Sequence, residues 1–208
     1  MCGDRPLGSM AVTDSVAVIG DSFTRGTEMG GFRAPQAWPR LVQELLTEQN
    51  IEISLAVGAD RGSGYVKRGS KGTTFADQIP NVVDAQTRLV VVFGSLNDGS
   101  VLPDQLASAV RHTLLAAEDS APCAKLLVIG PAWPNSNPPA RILSTRDVVR
   151  SEALSVAGTF IDPISASWFV DRPELIGPDG VHPTDAGHIF MAARLTPAIA
   201  QLLVSAGA

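Results

Sequence analysis

The chain has 208 residues, of which 45% are hydrophobic, 18% charged and 5% aromatic, a composition typical of one globular domain. Its net charge of −5 and its pI near 5.1 argue against a dedicated nucleic-acid-binding protein, which usually carries a basic surface. No apolar run reaches the roughly 18 to 20 residues that a membrane span needs. The two cysteines, Cys2 and Cys123, are too few for a disulfide framework, and Cys123 is interpreted as a partly buried small residue.

Residues 1–10 end in a second methionine, and they are interpreted as the remnant of a tag or as a disordered N-terminal tail. A single domain is therefore predicted over residues 11–208. Because the tail has no apolar segment of the kind found in signal peptides, the sequence as written predicts a cytoplasmic protein. A domain excised from an exported protein is the alternative.

Short apolar runs rich in β-branched residues alternate along the chain with longer segments of helical period. The runs predict five strands, at Val16–Ile19, Ile51–Val57, Leu89–Phe93, Leu126–Ile129 and Thr159–Ile161. The helical segments are Trp38–Gln49, Pro103–Asp119, Ser144–Val156 and Thr184–Val204. Since several strands show no polar alternation, as expected of strands covered on both faces, the pattern predicts a parallel sheet in three α/β/α layers.

The last helical segment has a predicted buried stripe and a predicted irregularity. Pro197 should start a new turn or kink the helix, because proline cannot donate the backbone hydrogen bond of a helix interior. The residues expected to face the core are Ile189, Ala192, Ala193, Thr196 and Ile199.

Polar side chains cluster where the predicted strands end. In parallel sheets, ligands bind beyond the carboxyl ends of the strands. Ser22 follows the first strand, Asn97 follows the third, and Asp179 and His182 lie in the loop after the fifth. We therefore expect these side chains to meet at one edge of the sheet.

Ser22 is a candidate nucleophile, and a serine hydroxyl needs a neighbouring base. His182 lies three residues after Asp179, so a short turn would bring the carboxylate to Nδ1 and leave Nε2 free for the serine proton. The alternatives are that Ser22 caps a helix, that His182 is a loop histidine packed against a strand end, and that Asp179 is a turn residue. A metal site of Asp179, His182 and His188 is disfavoured because no further ligand cluster is evident. His112 falls within a predicted helix.

Acyl transfer also needs hydrogen-bond donors where negative charge develops on the reacting carbonyl oxygen. The side-chain amide of Asn97, the backbone N–H of Ser22 and the N–H of a glycine after the second strand are the candidates. The alternative for Asn97 is a turn residue, since it lies within a Gly-Ser-Leu-Asn-Asp-Gly run. Asp21 is interpreted as a turn carboxylate that accepts nearby backbone N–H groups.

Four short blocks together resemble those of a known enzyme family. They are Gly20-Asp21-Ser22-Phe23, a glycine after the second strand, Gly94-Ser95-Leu96-Asn97-Asp98 and Asp179-Gly180-Val181-His182-Pro183. In this order they resemble the blocks of the SGNH hydrolases, also called GDSL-type esterases and lipases. The resemblance implies a flavodoxin-like three-layer fold with five parallel strands. It also implies a serine esterase that works through an acyl-enzyme, with no metal or cofactor.

The resemblance assigns roles to particular residues. Ser22 would be the nucleophile, His182 the base and Asp179 its orienting acid, with Ser22 and Asn97 among the oxyanion donors. Phe23 stands where the family has leucine, and two residues instead of one separate Gly94 from Asn97. For the second block, Gly58 fits the strand end better, and Gly62 is the alternative if the turn is longer.

The resemblance further implies short-chain acyl esters as substrates, including O-acyl groups on carbohydrates. Trp133, in a proline-rich loop after the fourth strand, and Tyr65, in a glycine-rich loop after the second, are candidate substrate contacts. The alternative for Trp133 is a tryptophan that packs in the core, and the alternative for Tyr65 is a residue of a mobile, solvated loop. An acyltransferase or thioesterase would use the same site, and a non-catalytic carbohydrate-binding domain is the alternative from another class.

Overall fold

The computed structural model describes residues 13–26 and 37–205, so the predicted tail at residues 1–10 lies outside the described residues. The five strands are β1 (Asp14–Gly20), β2 (Ile53–Ala59), β3 (Thr87–Phe93), β4 (Lys125–Ile129) and β5 (Thr159–Ile161). The helices are α1 (Ser22–Arg25), α2 (Trp38–Glu48), α3 (Phe75–Gln78), α4 (Pro103–Ser120), α5 (Ala140–Ser155) and α6 (Asp185–Ser205). Two 3₁₀ turns, Ile79–Asn81 and Pro173–Leu175, complete the fold.

The strands form one parallel sheet in the order β2-β1-β3-β4-β5. All five strands therefore end at the same edge, and β1 and β3 are neighbours, with Gly20 in register with Phe93. The predicted three-layer, flavodoxin-like fold is confirmed. The loops after β1 and β3, which carry Ser22 and Asn97, consequently lie side by side.

β3 shows why its apolar run is uninterrupted. Its alternate side chains Leu89, Val91 and Phe93 face a core cluster built with α2 and α6, whereas Val90 and Val92 face a second cluster built with α4 and α5. All five are at most 1% exposed, so neither face has a polar requirement. Helices thus cover both faces of the sheet.

The ends of several elements differ from the prediction for local reasons. α5 begins at Ala140 rather than Ser144, directly after Pro139, whose fixed φ suits the entry to a helix. β2 begins at Ile53 and extends two residues beyond the predicted Val57. α1 and α3, with four residues each, were not predicted because one turn is too short to show a helical period.

α6 departs from the prediction in two ways. It runs continuously through Pro197, so of the two predicted outcomes, a new turn or a kink, the new turn is absent. Ile189 is 60% exposed and Ala193 is also exposed, so these two positions of the predicted stripe were wrong. The buried face instead comprises His188, Met191, Ala192, Leu195, Thr196, Ile199 and Leu203.

α6 is also, among the described residues, the one helix long and apolar enough by composition to cross a membrane. The helix itself was predicted, but its apolar residues are not contiguous and so form no uninterrupted apolar run in the sequence. In the structure 44% of the most apolar 18-residue stretch within Asp185–Val204 is buried, and the helix packs on α2 and the sheet as part of the core.

Candidate active site

Ser22 lies where the chain turns from β1 into α1, at the carboxyl end of a central strand. Asp21 caps this helix, since its Oδ1 accepts a hydrogen bond of 2.9 Å from the backbone N–H of Phe23. A side chain at Gly20 would overlap the hydroxyl of Thr24, so the turn requires glycine there. The N–H of Ser22 itself belongs to the first helical turn, where amides have no intrahelical acceptor.

The loop before α6 brings Asp179 and His182 to Ser22. Asp179 Oδ1 accepts the backbone N–H groups of Val181 and His182, each at 3.0 Å, and Gly180, with φ of 72°, allows the tight turn between them. Asp179 Oδ2 lies 2.6 Å from His182 Nδ1, and His182 Nε2 lies 3.0 Å from Ser22 Oγ. The three side chains form a continuous hydrogen-bonded chain.

The environment of Asp179 keeps its carboxylate ionised. Partial burial raises the pKa of Asp179, but the hydrogen bonds from the His182 side chain and from the Val181 and His182 backbone outweigh it, so the pKa lies below its usual value. A carboxylate at Nδ1 favours the imidazole tautomer that carries its hydrogen there. The Nε2 atom is then the acceptor that faces the Ser22 hydroxyl.

Asn97 connects the three loops that follow β1, β2 and β3. Its Nδ2 donates one hydrogen bond of 3.0 Å to Asp21 Oδ2 and another of 2.7 Å to the carbonyl of Ser63. The loops are far apart in sequence, and the sheet order alone places them together. The expectation that these polar groups meet at one edge is therefore confirmed.

Asp21 has the predicted turn role and an additional one. Its bond to Phe23 N–H is the expected turn interaction, whereas its bond to Asn97 was not predicted. Burial raises the pKa of Asp21 to about 7; the Phe23 N–H opposes this shift and the nearby Asp98 carboxylate adds to it. Asp21 is thus a buried carboxylate directly beside the nucleophile, stabilised by few donors.

Asp98 shapes the loop that carries Ser63. The side chain is fully buried, and its two oxygens accept three successive backbone N–H groups, at 2.7 to 3.2 Å, from Tyr65, Val66 and Lys67. A side chain at Gly64 would overlap this carboxylate, so the loop packs tightly against the end of β3. The residues next to Asp98 in sequence do not indicate these partners, which lie more than thirty residues away.

Asp60 organises the second half of the same loop. Its carboxylate accepts hydrogen bonds from the hydroxyls of Ser70 (2.9 Å) and Thr73 (2.8 Å) and from the backbone N–H of Lys71. Burial raises the pKa of Asp60, but the hydrogen bonds from Ser70 and Thr73 outweigh it and hold the pKa below its usual value. The alternative interpretation of the glycine-rich loop was a mobile, solvated segment. In the structure the loop is instead held by hydrogen bonds among its own residues.

The two glycine candidates of the second block occupy different places. Gly58 lies inside β2, in register with Ile19 of β1. Gly62 lies in the loop beyond the strand, with φ of 75°, and directly precedes Ser63, whose carbonyl contacts Asn97. The geometry therefore favours Gly62, the predicted alternative, as the glycine beside Asn97.

Tyr65 does not contact an open site. Its side chain is 3% exposed, and its ring packs against Phe75 with the ring centres 4.9 Å apart in an edge-on arrangement. The backbone bond to Asp98 turns this residue inward, so the interpretation of Tyr65 as a substrate contact is replaced by a packing role.

Trp133 is half-buried on the loop after β4, at the same sheet edge as Ser22. Its indole Nε1 donates to Asn135 Oδ1 at 3.1 Å, and the same oxygen accepts the backbone N–H of Asn137. The indole is thus held in one orientation by its own loop. Its contact with substrate stays a prediction.

The two remaining histidines have separate environments. His112 is exposed on α4, as expected of a helical surface residue. His188 is 1% exposed, and its Nδ1 accepts the backbone N–H of Trp38 at 3.4 Å. This hydrogen bond joins α6 to the start of α2. His188 therefore has a structural function, unlike its role in the metal site considered for Asp179, His182 and His188.

We expect His188 to make the fold less stable in acid. Burial lowers the pKa of His188 from 6.5 to about 4, partly opposed by Asp185 and reinforced by His182. Between these values the unfolded chain binds a proton that the folded chain does not, so the free energy of unfolding falls as the pH drops from 6.5 to about 4 and the loss is complete below that. Urea unfolding of wild type and His188→Gln across this range should show a smaller pH dependence in the variant. Equal pH dependence would contradict the assignment.

Comparison with known proteins places this geometry in context. The chain matches the GDSL-like Lipase/Acylhydrolase family over residues 18–189. It is 42% identical over 203 residues to the GDSL lipase Rv0518 of Mycobacterium tuberculosis, an overlap that covers 96% of this chain and 87% of the relative.

Solved structures with low sequence identity share the fold. TesA superposes with a TM-score of 0.74 at 22% identity, covering 91% of this chain and 100% of TesA. The acetyl xylan esterase AlAXEase superposes with a TM-score of 0.71 at 18% identity, covering 89% of this chain and 99% of that enzyme. The family match and the mycobacterial relative, together with this shared fold, show that the chain belongs to the GDSL-like lipase/acylhydrolase family and is an esterase of the SGNH type.

Proposed function

We propose that the protein hydrolyses short-chain acyl esters through a Ser22–His182–Asp179 triad and an acyl-enzyme intermediate. The observation that carries the proposal is the hydrogen-bonded chain of 3.0 Å from Ser22 Oγ to His182 Nε2 and 2.6 Å from His182 Nδ1 to Asp179 Oδ2. Hydrogen bonding of this kind converts a weakly nucleophilic hydroxyl into an activated one.

In the first half of the reaction, Ser22 Oγ attacks the ester carbonyl carbon while its proton passes to His182 Nε2. The tetrahedral oxyanion collapses, the carbon–oxygen bond to the alcohol breaks, and the imidazolium returns the proton to the departing alkoxide. In the second half, His182 takes a proton from water, the hydroxide attacks the acyl-enzyme, and the acid is released with Ser22 reprotonated. Asp179 stabilises the imidazolium that forms in each half.

Three donors are proposed for the oxyanion: the N–H of Ser22, the side-chain amide of Asn97 and the N–H of Gly62. Gly62 is preferred to Gly58 because it directly precedes Ser63, whose carbonyl accepts a hydrogen bond from the Asn97 amide. Donors fixed in advance at the developing charge usually make the largest single contribution to this kind of catalysis.

The proposed substrates are small acyl groups, including O-acyl groups on carbohydrates. The acetyl xylan esterase that shares the fold supports this class, as does the orientation of Trp133, whose flat indole at the sheet edge suits stacking on a sugar ring. A series of p-nitrophenyl esters of increasing acyl length should give the highest kcat/KM with acetate or another short acyl group. A maximum at long chains would contradict the substrate class.

A fluorophosphonate probe tests the mechanism directly. We expect one adduct per folded chain, found by mass spectrometry on the peptide that contains Ser22, because only an activated serine reacts readily with such a probe. Ser22→Ala should abolish labelling, and Ser63→Ala, which removes another buried hydroxyl near the same edge, should retain it. No adduct on the folded protein, or an adduct on another serine, would overturn the proposed mechanism.

A further inference from the structure

Both amide hydrogens of Asn97 are already engaged in the structure. A primary amide nitrogen carries two hydrogens, and here one points to Asp21 Oδ2 at 3.0 Å and the other to the Ser63 carbonyl at 2.7 Å. An oxyanion that binds Asn97, as proposed above, must therefore take over one of these hydrogens. The acceptor that loses its hydrogen bond determines how the Asn97 amide is held during the reaction.

The two acceptors differ in what they lose. Asp21 is 2% exposed, and its two oxygens each take one of the hydrogen bonds described above, from Phe23 N–H and from Asn97. Removing Asn97 from Asp21 would leave a buried carboxylate short of donors, and that costs more than releasing a neutral carbonyl. The Asn97 hydrogen that is bonded to the Ser63 carbonyl is consequently the one that the oxyanion can take.

We propose that Asp21 is a positioning residue, which keeps one N–H of Asn97 while the other turns from the Ser63 carbonyl to the oxyanion. This inference rests on the proposed esterase mechanism. Because the same carboxylate caps α1 at Phe23, it fixes the distance between the Ser22 turn and the Asn97 amide through one side chain. Asp21 acts through Asn97 and does not itself contact substrate.

Asp21→Ser separates this role from helix capping. A serine can still cap α1 by accepting the Phe23 N–H, but its side chain is too short to reach Asn97. We expect kcat to fall by about 10- to 100-fold with little change in KM, since a misplaced donor costs less than an absent one. Asp21→Asn is the second variant: its NH₂ would face either the Asn97 amide or the Phe23 N–H, so it should also lower kcat.

A double-mutant cycle with Asn97→Ala decides whether Asp21 works through Asn97. In the Asn97→Ala background, Asp21→Ser should cost less than about a further 2-fold in kcat, because the group that it positions is already gone. The matched control is Asp84→Ser. The Asp84 carboxylate also accepts a backbone N–H two residues on, from Gln86 at 2.9 Å, but at the opposite edge of the sheet, and its loss should leave kcat unchanged.

The outcomes separate this inference from the proposed mechanism. Wild-type kcat in Asp21→Ser, or an equal loss in both backgrounds, would overturn the positioning role while Ser22 labelling and ester hydrolysis by the wild type persist. Failure of the wild type to label at Ser22 or to hydrolyse esters would instead overturn the mechanism. If Asp21→Ser does not fold, as judged by its thermal melt, the same cycle is run with Asp21→Asn.

Discussion

Ser22→Ala and His182→Ala should each lower kcat on a p-nitrophenyl acyl ester by about 10⁴- to 10⁶-fold. Ser22 supplies the oxygen that bonds to the acyl carbon, and His182 Nε2, 3.0 Å from that oxygen, receives its proton. Without either side chain the acyl-enzyme route is closed, and the remaining rate comes from water and the oxyanion donors. Steady-state kinetics with thermal melts of both variants make the measurement.

The Ser22→Ala/His182→Ala double variant sharpens this prediction. Because the two groups act in one step, the double variant should be no slower than the single variants. Asp179→Asn should cost about 10⁴-fold, since an amide in place of the carboxylate favours the wrong imidazole tautomer. His112→Ala, on the exposed face of α4, is the control and should retain wild-type kcat. Substantial activity in His182→Ala would exclude this histidine as the base.

The sheet and its active edge were predictable because their signals are local. A run such as Val90–Phe93 is apolar at every position only when both faces are covered, and this alone indicates a central parallel strand. Once the strands are parallel, Ser22 and Asn97 must emerge at one edge. The spacing from Asp179 to His182 likewise allowed only a short turn, and the structure contains it.

The predictions that were wrong concerned residues whose positions depend on interactions between distant segments of the chain. The stripe of α6 was misplaced because its core face includes the polar His188, buried against the start of α2, while the apolar Ile189 is exposed. Tyr65 looked accessible in a glycine-rich segment, yet Asp98, more than thirty residues away, draws that segment inward. The periodic spacing of apolar residues in a sequence does not indicate contacts of this kind between distant segments.

The bracing of the loop after β2 has the same origin. Asp60 and Asp98 have the same residue type as many surface aspartates, and their sequence neighbours are ordinary turn residues. Their function comes from backbone N–H groups that the fold gathers around each carboxylate. The choice between Gly58 and Gly62 depended on this loop, and so it became available only with the structure.

Asn97→Ala should lower kcat by about 10²- to 10³-fold, equivalent to roughly 3 to 4 kcal/mol of transition-state stabilisation, with little change in KM. The loss falls on the transition state because the amide binds the oxyanion and not the neutral ester. A residue that merely completed a turn would cost about 1 kcal/mol of stability and leave kcat intact. Since Asn97 also donates to Asp21 and Ser63, we expect a lower melting temperature as well, so kinetics are compared only where the variant is folded.

Asn97→Asp should reduce kcat further than Asn97→Ala. The substitution places a second carboxylate within about 3 Å of Asp21 Oδ2, where two like charges are strongly unfavourable, and it sets an acceptor instead of a donor beside the developing oxyanion. Asn81→Ala is the matched control, because its amide also donates to a backbone carbonyl, that of Asp77, but on an exposed turn. If Asn97→Ala keeps wild-type kcat while Ser22 remains reactive, Asn97 is not an oxyanion donor, and the third sequence block is a turn and nothing more.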